Sequence, residues 1–207
     1  KQGMSWFIFS EVMFFAAFFG ALFYARIIAV PWLDGASNNV MTAEVLWPKF
    51  VAQWPLTKTP GGTETQAMGW YGLPLINTVI LVVSSVTCHF AHVGLEKDNR
   101  KQLTAWLGLT IILGCIFLYL QGAEYVHAYE QLGLTLDSGI YGNTFYMLTG
   151  FHGMHVTLGT LMLIIMFLRV VKGHFTPDNH FAFQATSWYW HFVDVVWVCL
   201  FVVVYIL

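Results

Sequence analysis

The chain has 207 residues, of which 57% are hydrophobic and 10% charged, with a formal net charge of −2. A soluble domain normally carries about a quarter charged residues, so charge this sparse excludes an aqueous surface over much of the molecule. The absence of a basic excess excludes a nucleic-acid partner. The composition is that of an integral membrane protein.

Three cysteines, Cys88, Cys115 and Cys199, lie in apolar runs with no CxxC or CxxCH spacing. That pattern excludes covalently attached haem, thiolate zinc sites and a disulfide framework, and reads as small packing residues. The N-terminus has no charged n-region and small-residue cleavage pattern, so a cleavable signal peptide is not expected. Because the first residue is Lys1 rather than Met, an earlier part of a longer chain is expected.

A bilayer core needs about 20 mostly apolar helical residues, and five stretches qualify: 4–28, 70–93, 103–125, 144–171 and 181–207. The expected fold is an all-α polytopic transmembrane helix bundle, a single domain over 1–207. The first span carries Glu11 roughly 10 Å from its start at the helical rise. Phe7, Phe15, Phe18 and Leu22 share its face, with no cationic neighbour in the same helix. Two readings stay open: a carboxyl group hydrogen-bonded to another helix or a lipid, and a proton-exchanging group near the inner surface. A long loop, 29–69, follows, marked by Pro31, Pro48, Pro55, Pro60, Gly61 and Gly62.

The later spans carry polar stripes. Asn77, Ser84, Cys88 and His92 share a face in the second span, and Thr110, Gly114, Gln121 and Glu124 in the third. The fourth has Gly150, His152, Gly153, His155 and Gly159, and the last has His191 and Asp194 three residues apart. One polar stripe on an otherwise apolar helix is the pattern of a bundle joined by internal hydrogen bonds. His152 with His155, or His191 with Asp194 as ligand and supporting carboxylate, also invite a haem or metal reading. A catalytic metal would need three or four convergent ligands with an open position, so structural histidines are the preferred reading and no metal is assigned. Trp188, Trp190 and Trp197 fall inside the last span, which points to helix–helix packing, whereas Trp6, Trp32, Trp47, Trp54, Trp70 and Trp106 fall near expected interfaces or in the loop.

Arg169, Lys172 and His174 form a basic cluster at the end of the fourth span, suited to anchoring and to an anionic lipid headgroup. If the spans alternate, Lys1, Lys97, Arg100, Lys101, Arg169 and Lys172 lie on one side, against Arg26, Lys49 and Lys58. That asymmetry places the N-terminus inside and the C-terminus outside.

Three runs carry a family resemblance: Ser10-Glu11-Val12-Met13-Phe14-Phe15, Phe151-His152-Gly153-Met154-His155-Val156, and Trp188-Tyr189-Trp190-His191-Phe192-Val193-Asp194-Val195-Val196-Trp197. With Gly139–Phe145 and His174-Phe175-Thr176 they resemble cytochrome c oxidase subunit III over nearly the whole chain. That family has seven transmembrane helices, and this chain resembles the last five. The resemblance implies a non-redox accessory subunit that stabilises the catalytic subunit and its proton uptake. Haem and copper would lie in partner subunits, and the partners would be oxidase subunits I and II, phospholipids, and cytochrome c as electron donor to the complex. It also implies a V-shaped lipid cleft faced by Phe7 and Glu11, with Arg169, Lys172 and His174 near headgroups. Glu124, His152, His155, His191 and Asp194 would form a structural polar bundle.

Gln184 stands where many members have a glutamate, so no protonation role is assigned there. The 31–68 loop is longer than in mitochondrial members, which points to a bacterial inner membrane with a cytoplasmic N-terminus and periplasmic C-terminus. Ubiquinol-oxidising relatives usually carry Ser-Asp in place of Ser10-Glu11 and lack the Trp-Tyr-Trp run. A quinol oxidase or nitric-oxide-reductase-associated homologue is the alternative, and a membrane b-type cytochrome a more distant one. A transporter would require inverted repeats, and the chain shows no internal repeat.

Overall fold

A computed structural model describes all 207 residues, Lys1–Leu207. It contains no strand and six helices that organise the chain: α1 Gln2–Leu33, α2 Val40–Leu46, α3 Leu73–Glu96, α4 Arg100–Gln131, α5 Ile140–Val171 and α6 Phe181–Ile206. All but α2 are long and apolar enough to cross a bilayer. The protein is a multi-pass, all-α membrane protein.

Helix ends fall where backbone chemistry requires them. Gly173, at φ +73, closes α5: its N–H bonds the Val170 carbonyl at 2.9 Å and the His174 N–H bonds that of Arg169 at 3.0 Å. This left-handed close satisfies carbonyls that the helix end leaves without partners. The three-residue link from α3 to α4 uses Asp98 at φ +51 in the same way, and the Asn99 carboxamide oxygen caps α4 by accepting from the Gln102 N–H at 3.2 Å.

Several helices overrun the spans expected from hydropathy. Helix α1 continues to Leu33 rather than ending near 28, α4 covers Arg100–Gln131 rather than 103–125, and α5 begins at Ile140 rather than 144. Helices α4 and α5 have 32 residues each, about 48 Å at the helical rise, against a hydrocarbon core of about 30 Å. Their polar ends therefore extend beyond the apolar stretch that a hydropathy window detects. Pro31, which lacks an N–H and crowds the carbonyl four residues back, does not stop α1. The helix widens to i→i+5 bonding over Ala25–Ala29 immediately before it. The 29–69 segment is also more ordered than a plain loop, since it holds the end of α1 and all of α2.

Residue contacts divide the chain into two compact units where one domain is expected, and three helices contribute to both, so no sequence boundary marks the division. The first comprises Lys1–Glu11, Trp70–Glu124 and Phe151–Leu207. Its core is built on α6. Trp190 is fully buried, and its ring packs so closely on Gly114 of α4 and Gly159 of α5 that a Cβ at either would lie 2.9 Å from it. The Trp190 indole N–H donates to Ser84 Oγ at 3.1 Å, and that of Trp197, also fully buried, to Thr78 Oγ1 at 3.0 Å. Both hydroxyls donate in turn to carbonyls of α3, so each indole tip is satisfied where the ring body fills the core. Cys88 is buried with Sγ 3.7 Å from Ser187 Oγ, whereas Cys115 and Cys199 lie on exposed helix faces.

The second unit comprises Val12–Gly69 and Tyr125–Gly150. Buried Tyr141 organises it: its hydroxyl accepts from the Met68 N–H at 3.1 Å and its ring packs edge-on against Trp54. The Gln66 N–H bonds the Leu132 carbonyl at 3.1 Å, the Trp47 indole donates to the Leu33 carbonyl at 2.7 Å, and Arg26 lies over Trp54.

Overpacking a filled core costs about 1–3 kcal/mol. Gly114→Ala and Gly159→Ala are therefore expected to lower the melting midpoint of the detergent-solubilised protein by several degrees. Gly122→Ala, which meets nothing within 4 Å, should melt like the parent. Equal melting of all three variants would remove the Trp190 clamp.

Candidate functional site

The first unit gathers most of the polar side chains singled out in the sequence. Glu11, on α1, points at α5: its Oε2 lies 2.5 Å from His155 Nε2. The other ring nitrogen of His155, Nδ1, donates to the Phe151 carbonyl at 2.6 Å. A carbonyl only accepts, so Nδ1 carries a proton, and the Glu11–His155 contact must then hold one more. The pair is either a carboxylic acid facing a neutral imidazole or a carboxylate facing an imidazolium, and one proton is shared in both cases. His155 is nearly buried, while Glu11 keeps 23% of its side chain exposed. Tyr189 lies parallel to the His155 ring on one contact and stacks on Phe7 on another, with centroids 6.4 and 6.2 Å apart. Phe7 itself is 46% exposed, so this pair sits at the margin of the core with an apolar outer face.

His152 is fully enclosed. Its Nε2 donates to the Val193 carbonyl of α6 at 3.0 Å, its ring packs on Trp197 and Phe117, and its Nδ1 has no partner. His191 bonds Ser85 Oγ through Nδ1 at 2.5 Å, and the same hydroxyl faces Asp194, whose Oδ1 is without a partner. Ser85 thus joins His191 and Asp194 of α6 to α3. Glu124, buried in α4, accepts from the Tyr205 hydroxyl at 2.6 Å through Oε1 and leaves Oε2 unpaired. Glu124, His152, His155, His191 and Asp194 are therefore placed in four separate bonding groups rather than one convergent cluster.

The basic residues lie at the α5 end. Arg169 sits over the Phe175 ring, 4.5 Å from its centroid, and Lys172 and His174 are exposed. Arg100 donates to the Phe175 carbonyl through one guanidinium nitrogen, while its Nη1 is buried without a partner beside a shallow groove lined by Thr104, Val170, Val171 and Gly173. Arg100 was not singled out by sequence beyond its charge, and nor were Ser85, Thr78 and Tyr205. The available signal was the unmet bonding capacity of the residues they serve. Outside the spans, the Thr135 hydroxyl, 2.5 Å from Asp137, holds that carboxyl below the usual carboxylate range.

The family model for cytochrome c oxidase subunit III matches residues 1–207. The chain belongs to the cytochrome c oxidase subunit III family. Relatives named cytochrome c oxidase subunit 3 include those of Hippopotamus amphibius, 41% identical, and of Dugong dugon and Oncorhynchus mykiss, each 42% identical. Each alignment covers 99% of this chain and 68% of the relative.

Within this subunit III chain the Glu124–Tyr205 bond ties α4 to α6. Removing a donor from a buried acceptor costs about 1–3 kcal/mol. Tyr205→Phe keeps the ring and removes only the hydroxyl, leaving both Glu124 oxygens unpaired. It should melt several degrees below the parent in detergent. A matching melting curve would show that the bond contributes nothing.

Proposed function

We propose that this chain is a non-redox accessory subunit of a proton-pumping cytochrome c oxidase. In that complex, dioxygen is reduced to water with electrons delivered by cytochrome c, and haem and copper are held by subunits I and II. The chain's part is to stabilise the catalytic subunit, sustain its proton uptake and hold phospholipid. Membership of the subunit III family supports assembly with other oxidase subunits. The observation that carries the non-redox reading is the state of the histidines. Both ring nitrogens of His155 are hydrogen-bonded within the chain, whereas His152 is enclosed between the Trp197 and Phe117 rings with its Nε2 donating to a backbone carbonyl. An imidazole with both nitrogens engaged has no lone pair for iron or copper.

The lipid role rests on two surfaces. Exposed Phe7 beside the partly exposed Glu11–His155 pair offers an apolar wall next to a group that shares one proton. Arg169 and the exposed Lys172 and His174 offer cationic and hydrogen-bond donors to a headgroup. A cytoplasmic N-terminus and periplasmic C-terminus in a bacterial inner membrane follow from the Lys/Arg asymmetry and from the long segment between α1 and α3.

Glu11→Ala in the intact oxidase should leave initial turnover near the parent value and shorten the number of turnovers before inactivation. Unchanged durability in a time course of oxygen consumption would count against the proposed role. Reversing the charge of Arg169 and Lys172 together should reduce the anionic phospholipid that co-purifies, measured by lipid mass spectrometry. Unaltered lipid content would remove the headgroup site.

A further inference from the structure

Where α3 ends and α6 begins, a set of side chains converges that the subunit's proposed role does not use. His92 and Glu96 are four residues apart on the last turn of α3, hence on one face, and His180 immediately precedes α6. One ligand atom from each lies within 4.8 Å of those of the other two. His92 Nε2 is 3.9 Å from Glu96 Oε1, too far for a hydrogen bond, and that nitrogen is buried with no partner. His180 is held by a tight turn in which the Asn179 N–H bonds the Thr176 carbonyl at 3.1 Å. Its Nδ1 donates to the same carbonyl at 3.3 Å, which leaves Nε2 with the open lone pair. The geometry points to a binding site for a divalent transition-metal ion of the zinc class, held by His92, Glu96 and His180.

The donor set selects the ion. Two imidazoles and one carboxylate suit zinc and its neighbours, whereas magnesium and calcium take oxygen ligands. Metal–ligand bonds of about 2.0–2.2 Å in tetrahedral geometry place ligand atoms about 3.4 Å apart, so the three side chains would close by no more than about 1.4 Å from their present separations. Other features support them. A backbone carbonyl on His180 is the usual outer partner of a ligating imidazole, and Phe183 packs on His92 at 5.9 Å to supply an apolar wall. Glu96 is 57% exposed on its side chain, which gives an ion a route in and leaves the fourth position to water. Bound there, a redox-inert ion would satisfy the unpartnered His92 nitrogen and pin the end of α3 to the start of α6. This departs from the sequence reading, which assigns the chain no metal, and it is independent of haem and copper in partner subunits.

The test uses the full chain in the complex in which it is purified, without a polyhistidine tag. The protein is stripped with a chelator and titrated with Zn2+ in competition with a chromophoric chelator, in parallel for the parent, Glu96→Gln, His180→Asn and the control His127→Asn. One equivalent of zinc should bind to the parent and to His127→Asn. Affinity should fall at least about tenfold in Glu96→Gln and in His180→Asn, the size of loss seen even when an outer partner of a ligand is removed. Zinc should also raise the melting midpoint of the parent and not of these two variants. Failure of the parent to take up an equivalent of zinc, or unchanged affinity in both Glu96→Gln and His180→Asn, would overturn the site. Each variant alters an exposed or half-buried side chain, and elution at the parent position in size-exclusion chromatography verifies that the complex is intact.

Discussion

In a bundle surrounded by hydrocarbon, a polar side chain turned inward has no water to bond and must find its partner within the protein. That constraint organises the first unit of this protein. Helix α6 answers it with two indoles, which fill the interior with ring surface and place one N–H each against a hydroxyl of α3. The ring of Trp190 can be enclosed only because α4 and α5 present Gly114 and Gly159 to it. Small residues permit the close approach, and the large aromatic fills the space they leave. Further polar contacts, among them Ser85 with His191 and Glu124 with Tyr205, join the same helices.

The Glu11–His155 pair follows from the same constraint but differs in kind. With Nδ1 of His155 already donating to a backbone carbonyl, the pair holds one proton in either of its forms. It therefore meets the bonding needs of both side chains without requiring a net charge in the interior. Its partial exposure beside Phe7 distinguishes it from His152 and Glu124, which are closed off from the surface.

The polar stripes in the spans and the resemblance to the subunit III family were legible from local pattern. The stripe Asn77, Ser84, Cys88 indeed lies inward, fully buried. The partners were not legible. Glu11 and His155 are 144 residues apart, Ser85 and His191 106, and Glu124 and Tyr205 81. Nothing in the chain around Glu11 names an imidazole, and the expectation of a bond to another helix or a lipid left its partner open. The same distance in sequence hid the meeting of His92 and Glu96 with His180.

Consecutive residues determined the all-α character, the five apolar helices and the family, because hydropathy, helix periodicity and a contiguous motif are local properties of the chain. Helix limits were only approximately determined, since helical hydrogen bonding continues through polar ends that a hydropathy criterion discards. The tertiary structure alone decided which helix satisfies which buried group, and that Arg100 joins the basic cluster at the α5 end. Those outcomes depend on the rotation and approach of whole helices. Glycine contacts and indole packing set that rotation and approach between segments that the sequence holds far apart.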